Sequence, residues 1–240
     1  MKNIFLFLIF TILIWSCRNG NSEANADSLR TDSALKAQAA MPKIITRSKD
    51  TLHMVTLPPV MEGDIVFQID TSEQCKAFGA ATGSKYNNMG IIFIRPLGNL
   101  YMVLEAKDSA HTMPLTEWVD AGQGQHVALM RLKNANMLLT DKKTIDLKKV
   151  MRSCKGKMND HYFSWSDDEV YCSEMVWKVY HEGLHIDLST PRKLSEFNLT
   201  GPLVSQQMKN KYNGKIPKDE KVVSPDDIFH SQHLTLIYEH

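Results

Sequence analysis

The chain has 240 residues, with 28 Lys and Arg against 27 Asp and Glu, for a formal net charge of +1. That balance excludes nucleic-acid binding, or attraction to an anionic membrane, by bulk charge. There is no internal repeat, no CxxC pair and no Cys/His spacing of the zinc type, so neither metal nor cofactor is expected.

Met1-Lys2-Asn3 precede an apolar run over 4–14 that ends in Trp15-Ser16-Cys17. The run is shorter than the roughly 20 residues that span a bilayer, and its basic start and small residue before a cysteine read as a secretory signal. Ile14-Trp15-Ser16-Cys17 resembles a bacterial lipobox, which implies cleavage before Cys17 and lipidation of its thiol. Residues 1–17 are therefore expected to be a lipoprotein signal peptide. The mature chain would be exported and held by its N-terminal lipid in the bacterial cell envelope, at the outer membrane or facing the periplasm. An ordinary signal peptide and an uncleaved anchor are the alternatives. Residues 18–50 are rich in Asn, Ser, Ala, Asp and Lys and read as a flexible tether. Residues 51–240 then form one domain, long enough for a substantial core. With Cys17 set aside, Cys75, Cys154 and Cys172 remain, and an odd count in an exported chain leaves at least one free thiol.

Residues 63–68 read as a turn and a short strand, and 72–82 as a capped helix. Residues 89–95 and 100–106, joined by Pro96-Leu97-Gly98-Asn99, read as a hairpin. A short helix starts at Pro114, a strand covers 127–132, and 144–154 has helical spacing at Ile145, Leu147, Val150 and Met151. Near the end, 205–212 reads as helix and 234–238 as strand. The order predicts an α+β fold with a mainly antiparallel sheet.

Tyr171-Cys172-Ser173-Glu174 is the stretch with chemical promise. From Cys172, apolar residues recur at 175, 176, 179 and 180, the stripe of a buried helix face. Gly183 is the expected stop, and Asp167 and Asp168 are the candidate N-terminal caps. Cys172 would then sit in the first turns, where amide dipoles favour the reactive thiolate. A buried cysteine acting as an inert small hydrophobe is the commoner case.

Three blocks in order carry a resemblance: Gly63-Asp64-Ile65-Val66-Phe67-Gln68, then 81–92 with Asn87-Asn88-Met89-Gly90, then Asp167-Asp168-Glu169-Val170-Tyr171-Cys172-Ser173-Glu174. Together they resemble the YiiX-like group of circularly permuted, papain-like cysteine hydrolases, relatives of NlpC-type cell-wall peptidases. The resemblance covers about 63–183. It implies a papain-like half-barrel with Cys172 as nucleophile at the start of a buried helix. It puts Glu105 where the family has the polar residue that orients its histidine. The family's histidine position falls on Asn88, a departure from the pattern.

That departure has a chemical consequence. A cysteine hydrolase needs a thiolate and a proton donor for the leaving group, and imidazole serves both near neutral pH. A carboxamide can orient or donate, but it does not titrate in that range. His111, His126 and His161 are the candidate substitutes, and His161 stands closest in sequence to Cys172. Glu105 read without the resemblance is an edge-strand carboxylate. The implied function is a lipid-anchored cysteine hydrolase or acyltransferase on amide or ester bonds of a cell-wall peptide or lipid substrate, weakened by Asn88. The alternative is a non-catalytic protein whose groove binds a lipid or peptide.

Overall fold

The structure, a computed structural model, describes residues 44–47, 54–95, 97–98 and 100–240. The expected signal peptide, Cys17 and all of the expected tether except 44–47 lie outside the described residues. Residues 44–47, read as tether, form a strand instead: β1 (Ile44–Arg47) pairs antiparallel with β2 (Met54–Leu57).

The main sheet is built from β3 (Ile65–Gln68), β4 (Asn88–Arg95), β5 (Leu100–Ala106), β6 (Ala110–Pro114), β7 (Val127–Leu132) and β8 (Leu234–Glu239). Its spatial order is β8-β7-β3-β4-β5-β6, and every neighbouring pair is antiparallel. The helices are α1 (Glu73–Thr82), α2 (Leu115–Ala121), α3 (Asp141–Cys154), α4 (Cys172–Leu184) and α5 (Pro202–Tyr212), with short turns of helix at Ala135–Leu138 and Pro225–Phe229. This is the expected α+β fold. Among the described residues no helix is long and apolar enough to cross a membrane.

Strand alternation sorts side chains to the two faces of the sheet. Ile65, Phe67, Met89, Ile91 and Leu104 point to the layer formed by α3 and α4. Val66, Ile92, Val103 and Leu129 point to the other face, where α2 brings Leu115, Trp118 and Val119. Each fully buried side chain of this kind contributes roughly 1.5–3 kcal/mol, so both faces anchor the hairpin β4–β5. The close approach of β5 requires Gly90: a Cβ there would lie 2.4 Å from Val103 Cγ1 and 2.7 Å from the Leu104 carbonyl.

Two local expectations are corrected. Gly183 does not stop α4, which runs to Leu184 and ends with His185 at φ 60°. Gly183 serves helix packing instead, because a Cβ there would come within 2.9 Å of Leu147 Cα on α3. Asp167 and Asp168 do not cap α4; Tyr171 occupies the cap position, and Asp167 pairs with Lys178 at 2.8 Å.

Candidate active site

Cys172 is the first residue of α4. Two local contacts and one distant one hold it there. The Tyr171 N–H donates to the Glu174 carboxylate at 3.4 Å, and the Met175 N–H to the Tyr171 carbonyl at 2.9 Å. Val223, far along the chain, clamps the same turn: its N–H donates to Tyr171 Oη at 3.1 Å, and its carbonyl accepts from Ser173 Oγ at 2.7 Å. Tyr171 also packs with Phe78 and Phe163. The helix start is therefore fixed by the C-terminal part of the domain, a role that local pattern could not reveal.

The thiol borders a cleft of about 120 Å³ between the start of β4, the start of α1, the end of β5 and the loop after residue 159. Cys172 is only 5% exposed. Burial pushes its thiol up to about 12, and the neighbouring Cys75 adds to that, while amides of Met89 and Ser173 facing the sulfur pull it down. Burial therefore works against the expected thiolate. At the helix start the amides do favour the anion, but desolvation is the larger effect.

Asn88, the first residue of β4, borders the same cleft. Its Oδ1 accepts from the Met89 N–H at 2.9 Å, and its Nδ2 donates to Glu105 Oε2 at 3.3 Å. The strand register explains the meeting, since Gly90 pairs with Glu105. Glu105 is 3% exposed and does not line the cleft; it is reached through Asn88. The Trp118 indole N–H donates to its Oε2 at 2.8 Å, and His111 Nε2 lies 3.3 Å from its Oε1. A buried carboxylate needs such partners, and here α2 and β6 supply them.

The candidate substitute histidines separate cleanly. His161 borders the cleft, with Nδ1 3.1 Å from Gln74 Oε1. His111 stands behind Glu105, and His126 lies away from the cleft beside the His240 carbonyl. The structure also brings in groups that no sequence motif marked. Asp70 borders the cleft and pairs with Lys107 at 2.9 Å. Burial opposes the Asp70 carboxylate, but hydrogen bonds from Lys107 and Ser72 outweigh it and hold the carboxyl below its ordinary range. Reciprocal hydrogen bonds tie Asp70 to Asn87 at 2.7 and 3.0 Å. Cys75 is a second thiol on the cleft wall, pushed up to about 11 by burial and by Asp70. Cys75, Cys154 and Cys172 are all free.

Chemically, the arrangement offers a sulfur nucleophile at a helix start, amides near it, a carboxamide backed by a carboxylate, and one imidazole across the cleft. Residues 59–238 match the family described as permuted papain-like amidase enzymes of the YaeF/YiiX, C92 group. The chain is 37% identical over 175 residues to YiiX of Escherichia coli (strain K12), a match covering 73% of this chain and 84% of that protein. It is also similar to the crystal structure of the metalloprotein yiiX from Escherichia coli O157:H7, with TM-score 0.70 and 36% identity over 75% of this chain and 97% of the other.

Proposed function

The chain belongs to the permuted papain-like amidase family, and from that premise we propose that it is a cysteine hydrolase or acyltransferase acting through Cys172. The observation that carries this reading is the position of Cys172 at the first residue of a buried helix, bordering an open cleft, with amides of Met89 and Ser173 turned to its sulfur. Cys172 Sγ attacks the carbonyl carbon of an amide or ester. The Sγ–C bond forms, the C–N or C–O bond breaks, and the thiol proton leaves with the amine or alcohol. Water, or an acceptor hydroxyl or amine, then takes the acyl group from the thioester. Amides at the start of α4 are suited to hold the oxyanion. Glu105, anchored by Trp118, orients Asn88 and so shapes the wall beside the sulfur.

Asn88 cannot carry the proton, so this hydrolase is slow beside relatives with an imidazole there; positioned acid–base catalysis is worth about 10²–10⁴-fold. Among the described histidines His161 alone borders the cleft and is the substitute proton carrier. The test is turnover of acyl ester and amide substrates by the wild type and by Cys172→Ala and His161→Ala. Loss of turnover in Cys172→Ala is expected, and full turnover in that variant would end the proposal.

A second reading, a non-catalytic groove for a lipid or peptide, draws support from the thiol held at about 12 and from the Asn88–Glu105 hydrogen bond. In that case electrophiles would label Cys172 only slowly at neutral pH. The relative from Escherichia coli O157:H7 is called a metalloprotein. Among the described residues of this chain there is no group of three or more His, Cys, Asp or Glu that could hold a metal ion. The lipobox-like end at Cys17 supports a further proposal, an exported protein anchored in the cell envelope by a lipid on that thiol. Intact-mass analysis of the native protein should show the lipid, and an unlipidated mature N-terminus would overturn it.

A further inference from the structure

A second pocket opens near the far end of β4, between that strand, β5 and α3. The strand has eight residues, with Asn88 at the cysteine cleft and Arg95 at this pocket. At about 3.4 Å per residue the two ends are roughly 24 Å apart. The volume is about 280 Å³, against about 120 Å³ for the cysteine cleft.

The lining divides by chemistry. Phe93, Met102, Leu104 and Met151 form an apolar floor. Arg95, Lys148, Arg152 and Lys155 supply four cations, and no carboxylate stands among the described lining residues. Lys148 is engaged with Glu62 at 2.8 Å. The side chains of Arg95, Arg152 and Lys155 make no ion pair or hydrogen bond among the described residues. A solvated face normally mixes both signs, and cations on one rim repel one another. Here they surround a concave apolar surface instead of a flat one. An anion would relieve the repulsion, and an apolar tail would cover the floor.

We propose that this pocket binds a single-chain anionic amphiphile, an acyl chain ending in a carboxylate or phosphate. The volume, about 280 Å³, lies just below the roughly 300–1,000 Å³ of ligand sites, which favours one short chain over a two-chain phospholipid. The chain lies on Phe93, Met102 and Leu104, and the headgroup meets Arg152 and Lys155 at the mouth. This site is independent of Cys172 and of the hydrolase reading.

Titration calorimetry on the full mature chain at low salt tests it, with octanoate as the probe and octanol, acetate and inorganic phosphate as comparators. Octanoate should bind at one saturable site, about tenfold tighter than any comparator. The double substitution Arg152→Ser with Lys155→Ser, both at exposed positions, should weaken it about tenfold, as should added salt. Thr112→Leu, which fills the pocket from its wall, should also weaken it, and Cys172→Ala should leave it unchanged. Equal binding of octanol would reduce the site to an apolar hollow, and equal binding of acetate or phosphate would reduce it to a bare anion site. Either result overturns the proposal, as does octanoate binding that ignores the pocket substitutions or disappears in Cys172→Ala.

Discussion

Asn88→His puts an imidazole where the chain now has a carboxamide, between the Cys172 cleft and the Glu105 carboxylate. Glu105 Oε2, now 3.3 Å from Asn88 Nδ2, would hold the new ring protonated. Burial pushes the wild-type thiol up to about 12, so the thiolate is a small minority at pH 7.5. An opposite charge within about 4–6 Å lowers such a group by about 1–3 pH units. Each unit multiplies the thiolate about tenfold but costs nucleophilicity with a Brønsted slope of about 0.4–0.5, leaving a net gain of about threefold to fourfold per unit. Alkylation of Cys172 by iodoacetamide at pH 7.5 should therefore quicken by about 3- to 60-fold, and its pH profile should shift to lower pH. Turnover of an acyl substrate should rise by no more than about 10²–10⁴-fold. Position 88 is 3% exposed, so the larger ring costs roughly 1–3 kcal/mol, and a thermal melt must show the variant folded. A folded Asn88→His protein that alkylates at the wild-type rate would refute the reasoning, because residue 88 would then not communicate with the sulfur.

Two further outcomes follow from packing and charge. Gly183→Ala should lower Tm by several degrees, since its Cβ meets the Leu147 backbone at 2.9 Å and overpacking of about 1–3 kcal/mol exceeds the helix-propensity gain of about 1 kcal/mol; a Tm at or above wild type would contradict the close helix crossing. Glu174 is pushed up to about 7 from 4.5 by burial, with Lys178 at 3.0 Å only partly offsetting it. Its folded value lies above its unfolded one, so its contribution is fully present below about 4.5 and is lost as pH rises through about 7. Melts of wild type and Glu174→Gln between pH 4 and 8 should show wild type losing Tm relative to the variant as pH rises; a constant difference would show that Glu174 does not titrate in that window.

Local pattern determined the frame of this protein. The near-continuous apolar runs at 89–95 and 100–106, joined by a turn, read as a buried hairpin, and the structure pairs Ile91 with Leu104 and Ile92 with Val103. The stripe at 172, 175, 176, 179 and 180 requires a helix with a buried face, and all five residues are buried, while the packed domain also buries Ser173, Glu174, Trp177 and Lys178 between them. Ser72 before 73–82 marks a cap, and its Oγ accepts the Cys75 N–H at 3.4 Å. The ordered blocks, read by resemblance, also single out Asn88, Glu105 and Cys172. Only tertiary structure decided what surrounds them. Depth of burial follows from everything packed around a group, so the Cys172 thiol at about 12 could not be read from its place at a helix start. Glu105 lies behind Asn88 and not in the cleft, because its strand neighbours and Trp118 close over it. The Asp70–Lys107 pair and the clamp of Val223 on Tyr171 and Ser173 join residues 37 to 52 positions apart. Such contacts leave no period and no motif in the chain, since their partners meet only after the sheet and helices have packed.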